Sequence, residues 1–259
     1  MSGKRFFVNF GDNRYIKSRD RIVKEMEYIK KEKDGKDSFF DEFITETENI
    51  CNEEGFKKIL NNVPSVLGTG RGYYWYMWKP YIIYKHMMKM NDGDILFYCD
   101  SGMKVADSDH VRVKFQNMLE LVSDSEKCPT GIATFITTGH PKDRFEYMYN
   151  QIAVFKHFGV ENDQEITHSQ QIQAGVSMFY KSKKSMEIVE QWYNLARDFP
   201  QLFTGDPRVH NILKNQGPQM KGFRDHRHDQ SVWSVLCKIH KVNILKHNIN
   251  PVIQTHYRQ

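Results

Sequence analysis

Asp94-Ile95-Leu96-Phe97-Tyr98-Cys99-Asp100-Ser101-Gly102 sets five apolar or aromatic residues between two aspartates. Such a run predicts a strand buried on both faces of a sheet, and Asn91-Asp92-Gly93 supplies the turn that starts it. Asp100 ends the strand. A carboxylate at the C-terminal edge of a buried strand, followed by small Ser101 and Gly102, lies where open α/β sheets bind ligands. It suits a divalent cation bridging a diphosphate, because hard oxygen ligands hold such ions and small neighbours let phosphates approach. A plain strand-to-turn aspartate is the competing reading, since both settings favour Asp.

Upstream, Lys4 to Phe10 reads as a first strand, broken by the loop chemistry of Gly11-Asp12-Asn13-Arg14-Tyr15. A helix is expected next, from Ile22, Val23, Met26 and Ile29 at helical spacing. The cluster Phe39, Phe40, Phe43 and Ile44 has no assignable local structure, and Asn52 reads as the N-cap of a short helix that ends before Pro64. Then Gly68-Thr-Gly-Arg-Gly-Tyr-Tyr-Trp-Tyr-Met-Trp-Lys-Pro80 combines three glycines with five large aromatics. Rings this dense either pack a core or face a ring-bearing ligand. Arg71 and Lys79 on either side are consistent with a wall for an anion. Pro80 favours the start of a helix carrying Ile82, Ile83, His86 and Met87, with His86 a core or helix-surface residue.

Downstream, Met103 to His110 is polar and reads as a lid or short excursion, with Asp107 and Asp109 as exposed turn residues. Val111 to Val122 predicts a helix, Gly131 to Thr137 a strand, and Phe145 to Phe158 one continuous helix. Gln171 to Tyr180 is a further strand. Its Ala174-Gly175 marks either a close approach or a bulge. A helix through Met186 to Leu195 follows, then a loop-rich stretch from Asp206 to Gly222. Phe223-Arg-Asp-His-Arg-His-Asp229-Gln230-Ser231 precedes an apolar helix, and Asp229 at its N-terminus either caps it or faces a cleft. His226 and His228 are two apart, which is not the spacing of a helical metal pair. Val242 to Leu245 is a last short strand, and 251–259 a tail in which His256 and Arg258 read as loose terminal residues.

The chain has 259 residues and a net charge of +5 from 37 basic and 32 acidic residues, interleaved as in Lys30-Lys-Glu-Lys-Asp34. That pattern favours an anionic small ligand over a dedicated nucleic-acid surface. There is neither a membrane-length apolar run nor a signal-peptide core, so a soluble, cytoplasmic protein is expected, in the host cytoplasm if it is viral. Cys51, Cys99, Cys128 and Cys237 lie far apart without a C-x-x-C pair and read as reduced thiols.

With these pieces placed, the chain resembles nucleotide-diphospho-sugar transferases of the A-type glycosyltransferase fold, particularly small capsule- or surface-glycan enzymes of bacteria and large DNA viruses. The resemblance runs through most of the chain. It is carried by Phe10-Gly11-Asp12 with Tyr15 and Arg21, by Gly72 to Pro80 including Trp78, by Asp92 to Gly102, by Gln173-Ala174-Gly175-Val176, and by His228-Asp229-Gln230-Ser231. It implies an α/β fold, a Rossmann-like, mostly parallel sheet between helices, in one domain. Its nucleotide-binding part is expected at about 1–102 and its acceptor side at about 103–259.

The resemblance puts Asp100 at the first position of the D-x-D motif that binds manganese or magnesium, with Ser101 and Gly102 beside the diphosphate. Position 102 is Gly, not Asp. The shell is then left to Asp100, the diphosphate, water and a late histidine such as His256. Phe10, Gly11, Asp12, Tyr15 and Arg21 are implied around the nucleotide, and Arg71, Trp78 and Lys79 along its wall. Asp229-Gln230 resembles the late acidic motif at the donor sugar or acceptor hydroxyl, and Ala174-Gly175 the segment beside the acceptor. The implied reaction moves a sugar from a UDP- or GDP-linked donor to a glycan or glycoconjugate hydroxyl. Asp229 is its base if configuration inverts, or positions the sugar if it is retained. Two other classes stand beside this one: a non-catalytic glycan- or nucleotide-binding member of the fold, and a nucleic-acid surface at Arg71 to Lys79.

Overall fold

The computed structural model describes residues 3–32, 35–106, 110–206 and 216–254. In chain order its strands are β1 (Arg5–Phe10), β2 (Glu42–Glu46), β3 (Ile95–Cys99), β4 (Met103–Val105), β5 (Ile132–Ile136), β6 (Ile172–Tyr180), β7 (Asn243–Leu245) and β8 (Val252–Gln254). Six of them form one sheet in the order β2-β1-β3-β6-β5-β7. β2, β1 and β3 are mutually parallel, as are β5 and β7, and β6 runs antiparallel to both of its neighbours. This is a mixed α/β architecture with a mostly parallel sheet.

Alternation along the strands builds two cores. In β1, Phe6, Val8 and Phe10 go to one side and Phe7 to the other. In β3, Leu96 and Tyr98 oppose Ile95, Phe97 and Cys99. All five β3 residues are buried, which is the double burial that the run between the two aspartates requires. The longer helices are α1 (Ile16–Glu27), α2 (Glu54–Leu60), α3 (Trp78–Lys89), α4 (Val111–Ser123), α5 (Ile152–Phe158), α6 (Lys183–Asp198) and α7 (Asp229–Ile239). α1 and α4 cover one face, burying Ile22, Met26, Phe115 and Met118. α3, α6 and α7 cover the other, burying Ile82, Trp192 and Trp233. α6 begins in a reciprocal cap in which Ser182 Oγ accepts from Ser185 N and Ser185 Oγ from Ser182 N.

Four local expectations change. The Phe39–Ile44 cluster supplies Phe39 and Phe40 to the core and then becomes β2, pairing with β1. Asn52 ends a 3-10 turn, and α2 starts at Glu54 without a side-chain cap. The predicted helix over 145–158 is two pieces, Glu146–Tyr149 and α5. The buried Asn150 between them turns its amide to Glu146 and to the Ser231 carbonyl. Met103–Val105 is a strand, not a lid, because it pairs antiparallel with Val252–Gln254 at the start of the presumed tail. Asp107, Asp109, His256 and Arg258 lie outside the described residues.

One irregularity shapes the site. Between β5 and β6 the two-residue step from Thr134 to Ile136 faces a five-residue step from Ser177 back to Ile172. Thr134 Oγ1 pins this bulge against the carbonyls of Gln173, 3.1 Å away, and Val176, 3.0 Å away. Bulges of this kind re-aim side chains beside active sites. Here Gly175 is pushed toward the end of β3, where its carbonyl accepts from Asp100 N at 2.9 Å.

Candidate functional site

The carboxyl ends of β1 and β3 lie side by side. The chain leaves β1 toward β2 on one flank, while β3 pairs on the other, so this is the crevice where open α/β sheets bind ligands. Ser101 Oγ donates to the Phe10 carbonyl and ties the two strand ends together. Asp100 follows β3 directly, and its side chain is 33% exposed.

Two distant segments converge on that carboxylate. Lys79, in the first turn of α3, places Nζ 3.1 Å from Asp100 Oδ1 and 2.7 Å from Asp229 Oδ2, with the lysine side chain 3% exposed. Tyr98 also donates its hydroxyl to Asp100 Oδ1. The rings of Tyr76, Trp78 and Tyr98 surround the ammonium at 5.4 to 5.6 Å, adding cation–π contact to the ion pairs. Burial pushes the Asp229 carboxyl up to about 6, with Lys79 opposing and Asp100 adding to the shift. Lys79 moves above its ordinary value, because the two carboxylates outweigh the cost of its own burial.

Both partners of this buried pair are delivered by strained backbone. Gly72, Tyr73, Tyr74, Trp75 and Tyr76 all have φ between 50° and 63°. That is a left-handed turn, costing roughly 1–2 kcal/mol for each non-glycine residue. Gly70 and Gly72 make it possible, since a Cβ at either position would fall within 2.4 Å of the Trp75 or Tyr76 ring. Asp229 opens α7 directly after His228, whose φ is +54°. Strain at both joints is the kind that persists when surrounding structure holds a site in place.

Beside Asp100 lies a polar cavity of about 190 Å³. Gln171, Gln173 and Gly175 line one wall, while Ile172 and Ala174 point to the core. Arg144, Arg227 and Gln230 line the cavity as well. A larger cavity of about 250 Å³ lies at the opposite end of the sheet. Several of its charges are paired: Lys4 Nζ meets Glu42 at 2.8 Å, His86 meets Glu46 at 2.6 Å, and Asp94 accepts from the backbone of Lys4 and Asn91 at 2.8 Å each.

The residues singled out in the sequence divide accordingly. Asp100, Gly175 and Gln230 come together at the cavity, with Lys79 behind Asp100 and Asp229, only 3% exposed, behind Lys79. Ser101 is buried by its bond to Phe10, and Ala174 packs in the core. Gly102 adjoins open space, where an added Cβ would meet nothing within 4 Å. Asp12 caps the turn after β1 and pairs with Arg14 at 2.6 Å. Gly11 lies against the Arg19 side chain, and Tyr15 is exposed. Arg21 is a brace, donating to the Met103 and Ser101 carbonyls and pairing with Glu25. Trp78 stacks on Phe10 at 3.9 Å, and Arg71 pairs with Asp225 at 3.1 Å. Trp75, Trp78 and Lys79 of this stretch are buried, while Tyr73, Tyr74 and Tyr76 are half-buried.

Sequence reasoning missed Tyr98, Arg144, Tyr149, Gln171 and Arg227 as site residues. One signal was present: Gln171 and Gln173 alternate with apolar residues on a strand that is otherwise core, so period two places both amides on one face. The arginines carry no such mark.

Hard cations need several oxygens turned to one point; among the described residues Asp100 Oδ1 and Asp229 Oδ2 are turned to the Lys79 ammonium, Asp100 Oδ2 is not, and His256 lies outside them. No cluster of three His, Cys, Asp or Glu occurs among the described residues. His226 Nε2 and His228 Nδ1 meet the Leu202 and Phe203 carbonyls, while His228 Nε2 is buried without a hydrogen-bond partner. No helix among the described residues is long and apolar enough to cross a membrane.

No family model and no curated protein matches the sequence. Similar solved structures include mouse xyloside xylosyltransferase 1 in its apo form, at 10% identity and TM-score 0.46, covering 95% of this chain and 85% of that one. A glycosyltransferase involved in glycosylation of the major capsid of PBCV-1 aligns at 13% identity and TM-score 0.40, covering 86% and 80%. The apo-form glycosyltransferase GlyE of Streptococcus pneumoniae TIGR4 aligns at 13% identity and TM-score 0.39, covering 93% of this chain and 45% of that one. At this level of similarity the chemistry has to come from the side chains themselves.

Proposed function

We propose that this chain is an A-type-fold glycosyltransferase that moves a sugar from a UDP- or GDP-linked donor to a hydroxyl of a glycan or glycoconjugate. The observation that carries the proposal is Asp100, a partly exposed carboxylate at the carboxyl edge of β3, anchored by Lys79 and open to a cavity of amides and guanidiniums. Such groups recognise hydroxyls and oxyanions by directed hydrogen bonds. The motif resemblance at Asp100, Gly175 and Asp229-Gln230 points the same way.

In the transfer, the bond from the anomeric carbon to the diphosphate oxygen breaks and a bond to the acceptor oxygen forms. The acceptor proton must pass to a base. Asp100 faces the cavity and is the carboxylate placed to accept it in an inverting course. In a retaining course it would stabilise the positive charge developing on the sugar. Asp229 does not line the cavity, and its role is to hold Lys79 and the start of α7 in position. The nucleotide lies along Gly11, Asp12, Ser101 and Gly102, at the joined ends of β1 and β3. Manganese or magnesium assistance would need ligands beyond the described residues, His256 among them.

A thermal-shift panel of nucleoside diphosphates and sugar nucleotides, each with manganese, magnesium or chelator, tests the donor site, because a ligand of the folded state raises apparent stability by mass action. A shift confined to one nucleotide series is expected, and no shift at millimolar ligand would reject the reading. Asp100→Asn should leave the melting temperature near wild type and lower transfer by at least about 100-fold. A second reading, non-catalytic binding by the same fold, is favoured by Lys79, which engages both carboxylates. Donor binding without release of nucleoside diphosphate, across a panel of acceptors, would select it.

A further inference from the structure

Arg144 and Arg227 enter the cavity, and among the described residues neither pairs with a carboxylate. Their neighbours differ in this respect: Arg71 meets Asp225 at 3.1 Å and Arg224 meets Asp143 at 3.8 Å. The Arg227 guanidinium lies over the Tyr149 ring, with Cζ 4.6 Å from its centroid, and its Nε is buried without a partner. Arg144 packs on the same ring at 5.6 Å and makes one hydrogen bond, from Nη1 to the Tyr149 hydroxyl at 3.3 Å. Each guanidinium carries five N–H donors in a planar fork. Two such groups share one cavity, both half-buried, and Arg227 Nε is a buried donor left unpaired, which is costly.

The ring between them registers the excess positive charge. Burial raises the Tyr149 hydroxyl, yet Arg224, Arg144 and Arg227 together hold it below its ordinary value. The rest of the lining is held in place: the Asp100 carboxylate has Oδ1 taken up by Lys79 and Tyr98, and the amides bond one another. Gln230 Nε2 donates to Gln171 Oε1 at 2.7 Å, and Gln171 Nε2 donates to Glu146 at 3.4 Å. Glu146 is itself fully buried and held by Asn150, Ser234 and Lys238. The cavity is smaller than the 300 Å³ or so at which drug-sized pockets begin, which suits a single sugar unit.

We infer that this cavity binds a sugar bearing an oxyanion, with Arg144 and Arg227 clamping the anionic group and Gln171 and Gln230 meeting ring hydroxyls. A guanidinium fork matches a carboxylate or a phosphate in two parallel hydrogen bonds. The inference deepens the transferase reading by naming the class of sugar, and rests on it only for whether that sugar belongs to donor or acceptor.

Calorimetric titration of the full chain with glucuronate, glucose 6-phosphate, glucose and UDP tests it. At least one of the two anionic sugars should bind tenfold or more tightly than glucose, and the tighter of them identifies the anion as carboxylate or phosphate. Arg144→Ala and Arg227→Ala should each remove most of that advantage, while Arg227→Lys, which keeps the charge but loses the fork, restores only part. UDP affinity should stay at the wild-type value in all three variants. Equal binding of glucose and both anionic sugars, or none by the anionic sugars at tens of millimolar, overturns the clamp. A parallel loss of UDP binding would assign the arginines to the donor diphosphate and overturn it too. Binding of an anionic sugar without any binding of nucleotide would instead reject the transferase reading and leave the clamp standing.

Discussion

Lys79 Nζ stands 2.7 Å from Asp229 Oδ2, and neither side chain is more than 5% exposed. The same ammonium reaches Asp100, so one buried cation holds two carboxylates from β3 and α7 against α3. Removing one side of a buried pair costs about 3–5 kcal/mol, because the remaining charge has lost its counterion. Lys79→Met should therefore lose stability of that order in urea at pH 7. The loss should shrink at pH 5, where Asp229 takes up a proton. An unchanged unfolding midpoint at pH 7 would show that the pair does not hold the site together.

The raised Asp229 carboxyl gives stability a defined pH dependence. Its folded-state value of about 6 lies above the ordinary 3.8, so the folded protein binds more protons than the unfolded chain between those limits. Stability from this group is present below about 4 and falls as pH rises through about 6, by roughly 3 kcal/mol at most. The difference between wild type and Asp229→Asn, followed by chemical denaturation from pH 4 to 7, should change by that amount. A constant difference across the window would place the carboxyl at its ordinary value.

Position 102 is sterically open, since a Cβ there meets nothing within 4 Å. Gly102→Asp should fold as wild type does and add the second carboxylate of a D-x-D pair. Manganese alone should then raise its melting temperature by a few degrees more than that of wild type, by mass action on the folded state. Identical manganese responses in the two proteins would mean that an added carboxylate does not build a site there.

Gly175 leaves no room for a side chain. A Cβ on it would lie 2.8 Å from Asp100 Oδ2 and 2.9 Å from Met103 Cε. Gly175→Ala should cost about 1–3 kcal/mol of stability through overpacking. It should also weaken nucleotide-sugar binding at least tenfold by moving Asp100. Wild-type affinity in a variant that melts lower would separate the bulge from the site.

Much of the fold is legible in the chain because strands and helices leave their periods in it. The apolar run from Ile95 to Cys99 specifies a doubly buried strand, and Lys4–Phe10 and Gln171–Tyr180 read as two more; that both pair with it is decided by the fold. Asp100 is marked as a strand-end carboxylate and Asp229 as a helix-start one, since both positions follow from local pattern. Local pattern also misleads where a distant partner decides. Met103–Val105 becomes a strand through pairing with Val252–Gln254, and the helix over 145–158 breaks where Asn150 turns to Glu146 and Ser231.

The sequence by itself determined most of the strands and helices, the place of Asp100 at a strand end and the small residues beside it, because each of these depends on residues within one element. Only the tertiary structure decided that Lys79 lies between Asp100 and Asp229, that Arg21 braces the backbone, and that Arg144 and Arg227 share Tyr149 without a carboxylate among the described residues. Lys79 and Asp229 are 150 residues apart, and nothing in the charge pattern between them says which cation meets which anion. That choice is made by strand order and by the left-handed turn before α3, which bring their ends to one point in a medium where an unpaired charge is too costly to leave.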